Sequence, residues 1–265
     1  MGLVPICYFW ELNKLQQKMH LSLENGEIID LYGLSIIDGV YHIFFLYKTE
    51  FQGKQWGHFA TKDFQEYKFS SGKAEIIGYK TGNTHFFANT VGELLLLELI
   101  KPPGKGRRSF FSLPKKVVIH NEEMLRYPAE QLNELREYKR SVKLCEGESV
   151  DTFGAVFEAK LTFAENIYSL LLRDDVAVEC ENGSITVQYG DLKQSLESDD
   201  CKTIHVFSDV ASVEIFVGGK VLSLPTDKNE NGTVTILSGE CRAEIYKLKS
   251  INVVKEAPAR PCPFL

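Results

Sequence analysis

A single aspartate heads the stretch of this chain that is richest in chemistry. Asp30 opens the run Asp30-Leu31-Tyr32-Gly33-Leu34-Ser35-Ile36-Ile37, an Asp38-Gly39 turn reverses the backbone, and Val40-Tyr41-His42-Ile43-Phe44-Phe45-Leu46-Tyr47 returns. Shortly after comes Trp56-Gly57-His58-Phe59-Ala60-Thr61-Lys62-Asp63. A carboxylate at the mouth of a strand can attack an electrophilic carbon or accept hydrogen bonds from hydroxyl groups. Trp56 and His58 would form one wall of a sugar pocket, because an indole face stacks on the apolar face of a ring. The plainer alternatives are a strand-end aspartate that caps a turn, and packing roles for Trp56 and His58. His42, His85 and His205 sit in strand-like segments without partners at metal spacing, so neither a metal nor another cofactor is expected. Tyr41, Phe44, Phe45 and Tyr47 read most simply as core.

The elements that must position these groups are strands. Alternating runs at Leu34–Ile37, Val40–Tyr47, Gln55–Thr61, Glu66–Phe69, Glu75–Tyr79, His85–Val91, Glu93–Ile100 and Ser109–Ile119 are separated by turn residues, which predicts short antiparallel strands. Before them, Leu12, Leu15 and Met19 at helical spacing predict a short surface helix within residues 1–20. After them, Pro128 followed by Leu132, Leu135 and Tyr138 predicts a helix through Arg140, with Glu130 and Glu134 early and Lys139, Arg140 and Lys143 late, as the helix dipole favours. From residue 149 the strand signals resume. Alternation such as Val213, Ile215 and Val217, with tight turns at Glu181-Asn182-Gly183 and Gly218-Gly219, predicts a β-sandwich over 149–250. The expected order is a helical segment (1–20), a strand domain (21–120), a helix and linker (121–148), the sandwich and a tail (251–265).

The chain has 265 residues, a net charge of −6 and a pI near 5.6, which argues against nucleic acid or an anionic membrane surface as its main partner. The basic run Lys101 to Arg108 has no strand–loop–helix setting and reads as a solvated loop rather than a phosphate site. Six cysteines are scattered without a Cys-x-x-Cys pair, so they read as reduced thiols, and a cytoplasmic location is expected. No apolar run reaches the ~18 residues of a spanning helix, so no membrane role is expected.

Taken together, Asp30-Leu31-Tyr32-Gly33, the aromatic hairpin and Trp56 to Asp63 resemble the opening blade of the β-fructofuranosidases, glycoside hydrolase family 32. Thr84-His85-Phe86-Phe87-Ala88-Asn89-Thr90 with Glu93 to Ile100 resembles that family's last blade. Phe110-Phe111-Ser112-Leu113-Pro114-Lys115-Lys116 resembles its exit from the propeller, and Ser212-Val213-Glu214-Ile215-Phe216-Val217 its sandwich signature. The resemblance implies an all-β fold, a propeller-like domain followed by a β-sandwich, and retaining hydrolysis of terminal fructosyl bonds. It places Asp30 at the nucleophile position and Gly33, Trp56 and His58 at the substrate, with a fructose-containing sugar as partner.

Several features depart from the family pattern. Ile29, Leu31 and Tyr32 replace the Asn, Pro and Asn that flank the family's nucleophile, and Leu46 stands where the family has Gln. Between the Trp56 motif and Thr84 lie only about twenty residues, whereas a four-stranded blade takes about 40. The first domain is therefore expected to be truncated to about two blades, lacking those that carry the transition-state stabiliser and the acid/base. Arg173-Asp174, Glu179-Cys180 and Glu240-Cys241 mimic those motifs but follow the propeller exit, so they belong to the sandwich. Loss of general acid catalysis alone removes about 10²–10⁴-fold in rate. The expectation is a fructosidase-like protein with little or no hydrolysis that binds carbohydrate or serves in assembly. One alternative is an active enzyme using Asp30 with a second carboxylate from Glu75, Glu93, Glu98 or a dimer partner. The other is a purely structural protein. Too few strands to close a propeller point to a homo-oligomer.

Overall fold

The computed structural model describes residues 17–23, 26–49, 53–73, 84–88, 93–102, 108–120 and 123–255. The expected strand Glu75–Tyr79, most of the expected amino-terminal helix, Asn89 and Thr90, and residues 103–107 of the basic loop lie outside them. The chain divides into two compact units, one of residues 1–91, 96–112 and 251–265, the other of residues 92–95 and 113–250. Both are built of strands, as the resemblance implied.

In the first unit, β1 (Glu27–Ile37), β2 (Val40–Lys48), β3 (Lys54–Thr61) and β4 (Glu66–Lys73) form a four-stranded antiparallel blade. β5 (Thr84–Ala88) lies parallel to β1, β6 (Leu94–Ile100) pairs with β5, and the short β7 (Phe110–Phe111) pairs with β6, so that these strands extend the same sheet. Alternation sends Ile28, Leu31, Leu34, Ile43, Phe45 and Phe59 to one face, where each is at most 5% exposed. Phe45 stacks on Phe59 at 4.9 Å and meets Phe111 edge-on at 5.6 Å. Gly57 makes this packing possible, since a Cβ there would stand 2.5 Å from the Phe45 ring. The turn after β3 is locked by Asp63, whose Oδ1 accepts the Gln65 and Glu66 amides and the Thr61 hydroxyl. Burial pushes this carboxyl up in pKa, but the bonds it accepts outweigh that and hold it below its ordinary value. Asp63 is thus a turn-former, and Phe64 beside it takes a left-handed φ of 58°.

The second unit opens with a hairpin of β8 (Lys115–His120) and β9 (Glu123–Pro128). Ser109–Ile119, expected as one strand, is broken at Ser112-Leu113-Pro114, where Pro114 has no N–H to continue a ladder. The helix expected from Pro128 through Arg140 is a 3-10 helix over Glu130–Leu135 only. Leu132 and Leu135 are buried, but Tyr138 is 63% exposed, so the apparent helical stripe ends at Leu135. The chain continues as β10 (Arg136–Leu144), because pairing with another strand satisfies its whole backbone, which the third turn of a lone helix would not have improved.

The remaining strands are β11 (Ser149–Asp151), β12 (Phe157–Phe163), β13 (Tyr168–Leu172), β14 (Val176–Glu181), β15 (Ser184–Tyr189), β16 (Leu192–Glu197), β17 (Thr203–Asp209), β18 (Ser212–Val217), β19 (Lys220–Pro225), β20 (Thr233–Ser238) and β21 (Cys241–Leu248). They form two six-stranded sheets, β10-β21-β12-β17-β18-β19 and β11-β20-β13-β14-β15-β16. Leu161, Val206, Ile215 and Ile245 from one sheet and Leu170, Val178, Ile185 and Ile236 from the other share a core at 0–1% exposure. Burying each such side chain contributes about 1.5–3 kcal/mol before the entropy of ordering it is subtracted. Asn182-Gly183 and Gly218-Gly219 take the positive φ values that two-residue hairpins require. A last strand, β22 (Asn252–Lys255), returns to the first unit and pairs in parallel with β4.

Candidate functional site

The register of the first blade decides which side chains share a face. Asp30 pairs with Leu46, Leu46 with Trp56, and Trp56 with Gly72. The next row on the same face runs Gly33, Phe44, His58, Ser70, and the one after it Ser35, His42, Ala60, Lys68. All four residues singled out from the sequence, Asp30, Gly33, Trp56 and His58, therefore lie on one face, opposite the apolar core. Two bulges make this so. Ile29 and Tyr32 are extra residues without partners on β2, and each resets the alternation of β1 around Asp30.

This face is open and aromatic. Trp56 is 40% exposed and Phe44 39%, while Asp30 and His58 are half-buried. The Gly33 position leaves free space above the sheet, with nothing within 4 Å of where a Cβ would stand. Asp30 Oδ1 accepts the amide of Leu31 at 3.0 Å, which orients the carboxyl and leaves its other oxygen able to accept more. His58 stacks on Phe44 at 4.5 Å and lies edge to edge with His42, the ring centroids 5.1 Å apart. Its Nε2 lies 2.9 Å from His42 Nδ1 and its Nδ1 3.2 Å from Ser70 Oγ. His42, read from sequence as structural, and Ser70, not singled out there, are thus the groups that fix the imidazole plane. Period-two alternation points to both once the β2–β3 register is known.

The surrounding acids differ in what they can contribute. Glu93 forms an ion pair with Lys116 at 2.7 Å, and Glu75 lies outside the described residues. Glu98 is different. It pairs with Thr84 across β6 and β5, and β5 sets Ser35 beside Ala88, so alternation puts Glu98 on the face that carries Asp30. Two strand spacings, roughly 10 Å of backbone, separate the two strands that carry them. Arg173 is a fully buried sandwich arginine that donates to the Asp209 carbonyl, Thr226 and Asp175. Glu179 and Cys180 lie on β14, and Glu240 and Cys241 at the start of β21, so none of the three look-alike pairs is near the Asp30 face in sequence or unit. Among the described residues, no group of three or more His, Cys, Asp or Glu is placed to hold a metal ion, and no helix is long and apolar enough to cross a membrane.

Residues 20–76 match the glycosyl hydrolases family 32 N-terminal domain, a segment that holds Asp30, Gly33, Trp56 and His58. No curated protein sequence matches the chain. Among solved structures, the chain is similar to the β-fructofuranosidase BmSUC1 of Bombyx mori, with a TM-score of 0.56 and 17% identity over 86% of this chain and 55% of that one. It is also similar to a sucrose-6-phosphate hydrolase from Lactobacillus gasseri, with a TM-score of 0.55 and 13% identity over 87% of this chain and 67% of the other. The third is fructan 1-exohydrolase IIa of Cichorium intybus, at 0.53 and 11%, over 89% and 75%. A point mutant of BmSUC1 has been seen in complex with sucrose, and a point mutant of the Cichorium enzyme in complex with 1-kestose. The chain thus spans little more than half the length of the silkworm enzyme, and at these identities the likeness is one of fold. The resemblance to family 32 holds in sequence over the amino-terminal segment and in fold over most of the chain.

Proposed function

We propose that this chain, which has the fold of glycoside hydrolase family 32 and part of its amino-terminal domain, binds a fructose-containing sugar and hydrolyses it slowly or not at all. The observation that carries the reading is the register that lines Asp30, Gly33, Trp56 and His58 along one open face. Trp56 offers a stacking surface, Asp30 an acceptor for ring hydroxyls, His58 a second polar group held in place by His42 and Ser70, and Gly33 the space for a ring. Slow turnover follows from Ile29, Tyr32 and Leu46, which put apolar or bulky groups where the family has Asn, Asn and Gln side chains. Hydrolysis of sucrose, sucrose 6-phosphate and a fructan by pure protein, followed by calorimetric titration with fructose and 1-kestose, tests it. Heat of binding without turnover supports the reading, and neither heat nor turnover leaves only an architectural role. A cytoplasmic setting accords with the scattered cysteines, and a homodimer with a first unit of two blades, which a sedimentation measurement checks.

Glu98 supports a second reading. Retaining glycosidases hold their carboxyl groups about 5–5.5 Å apart and inverting ones about 6.5–9.5 Å. Asp30 and Glu98 stand on one face of one sheet, at a strand separation from which their side chains can converge into either range. In this reading Asp30 attacks the anomeric carbon and Glu98 protonates the leaving oxygen, and turnover abolished by Asp30→Asn supports it.

A further inference from the structure

Of the six cysteines, two meet in the sandwich. Cys180 is the last residue but one of β14 in one sheet, and Cys201 stands two residues before β17 in the other. They are 2% and 0% exposed, and their side chains interact directly with each other. Both are held from several sides. Cys180 pairs with Tyr168 across β13 and β14 and with Ile185 across β14 and β15, and its Sγ donates to the Asn166 carbonyl at 3.1 Å. Tyr168 in turn donates its hydroxyl to the Cys201 carbonyl at 2.8 Å, so one tyrosine ties both residues together. Cys201 Sγ reaches the Ser198 carbonyl at 3.1 Å and the Gly183 carbonyl at 3.4 Å, and the Ser198 amide bonds Gly183 O at 2.9 Å. The segment entering β17 is therefore docked on the very hairpin turn that follows Cys180. No other cysteines among the described residues share this arrangement, since Cys145 is exposed and Cys241 is buried on β21.

We propose that Cys180 and Cys201 are a redox pair that closes to a disulfide between the two sheets of the sandwich when the protein meets a low-molecular-weight disulfide such as oxidised glutathione. One cysteine thiolate attacks a glutathione sulfur and releases one glutathione thiolate. The second attacks the protein-bound sulfur of the mixed disulfide and releases the other. Two protein thiols are oxidised by two electrons, and the two protons they lose are taken up by the released glutathione thiolates to give two glutathione thiols. Burial pushes both thiols up, Cys180 to about 11, so thiolate is scarce in the folded protein and closure there is slow. The bond closes a loop of chain that includes β15 and β16 and ties β14, inside one sheet, to the segment that enters β17, inside the other.

The test is to unfold and reduce the full chain, refold it in a glutathione redox buffer, quench with an alkylating reagent in denaturant, and map tryptic peptides. The expected product joins peptide 174–193 to peptide 194–202 with a mass two hydrogens below their sum, and its thermal midpoint lies roughly 5–10 °C above that of the reduced protein. Cys201→Ser and Cys180→Ser each abolish the linked peptide and that gain, while Cys145→Ser leaves both in place. Natively folded protein in which Cys180 and Cys201 are both recovered alkylated, or joined to other cysteines or to glutathione, overturns the proposal.

Discussion

Asp30 and Trp56 stand in one cross-strand row with only Leu46 between them, on the face of the first blade that is turned away from its core. In sequence they are joined by a hairpin and a loop, and neither carries a motif that announces the other. What unites them is a pair of bulges at Ile29 and Tyr32, without which β1 would present its side chains out of phase with β2. The candidate site is thus a property of register, and it depends on the packing beneath it.

Gly57 is where that packing is tightest. Gly57→Ala drives a methyl group to 2.5 Å from the buried Phe45 ring, and that ring is already wedged against Phe59 and Phe111. We expect a loss of about 1–3 kcal/mol, read by urea unfolding. The control Ala60→Gly, which removes a methyl group on the open face, is expected to lose less. Equal losses would show that the core beneath the site is loosely packed.

Lys115 and Glu214 form an ion pair at 2.9 Å with both side chains fully buried. Glu214 also accepts the Leu113 amide at 2.7 Å and the Ser223 hydroxyl at 3.1 Å. Lys115→Met leaves a buried carboxylate without its cation, and we expect about 3–5 kcal/mol of destabilisation. Lys115→Met with Glu214→Leu restores much of it, because the uncompensated charge is removed. Additive losses in the double variant would contradict this account.

Acid should weaken the sandwich in two stages. His205 Nε2 lies 2.6 Å from Glu158 Oε1, and Arg136 Nε lies 2.6 Å from the other oxygen. Burial holds His205 below its ordinary pKa despite the neighbouring carboxylate, and Glu158 is held below its own because the bonds from His205 and Arg136 outweigh its burial. Both folded values are depressed, so both contributions are complete above the unfolded values and are lost as pH falls. The histidine's share goes from about pH 6.5 downward and the glutamate's from about 4.3 downward. Thermal midpoints measured from pH 8 to pH 2 should fall in that order, and His205→Gln should flatten the upper part. A midpoint that rises between pH 7 and 5 would contradict it.

Glu98 makes the second functional reading testable. If pure protein turns over sucrose at any measurable rate, Glu98→Gln should lower that rate by about 10²–10⁴-fold while leaving 1-kestose binding within about twofold. An unchanged rate excludes Glu98 as the acid.

Much of this architecture was legible in the residues. Alternation at Val213, Ile215 and Val217 located β18, and Asn182-Gly183 named its own turn. What stayed hidden was set by tertiary partners. β10 reads as the end of a helix because Leu132, Leu135 and Tyr138 are spaced like one, yet it is a strand that pairs with β21. β16 has only Leu192 and Leu196 to lay against the core and is polar at its other four positions, since it is an edge strand, and so gives a weak pattern. For the site, residue types pointed to Asp30, Trp56 and His58. The roles of His42 and Ser70 required the β2–β3–β4 register, which no local signal encodes.

The central claim is that the Asp30–Trp56 face holds a fructose-containing sugar. Calorimetric titration of 1-kestose into the wild-type chain and into Trp56→Ala tests it most directly. The account predicts saturable heat for the wild type and an affinity at least about tenfold weaker for the variant, equivalent to ~1.4 kcal/mol of lost stacking, with the fold intact by circular dichroism. Absence of heat and of thermal stabilisation in the wild type at millimolar sugar, or identical affinity in the two proteins, would contradict it.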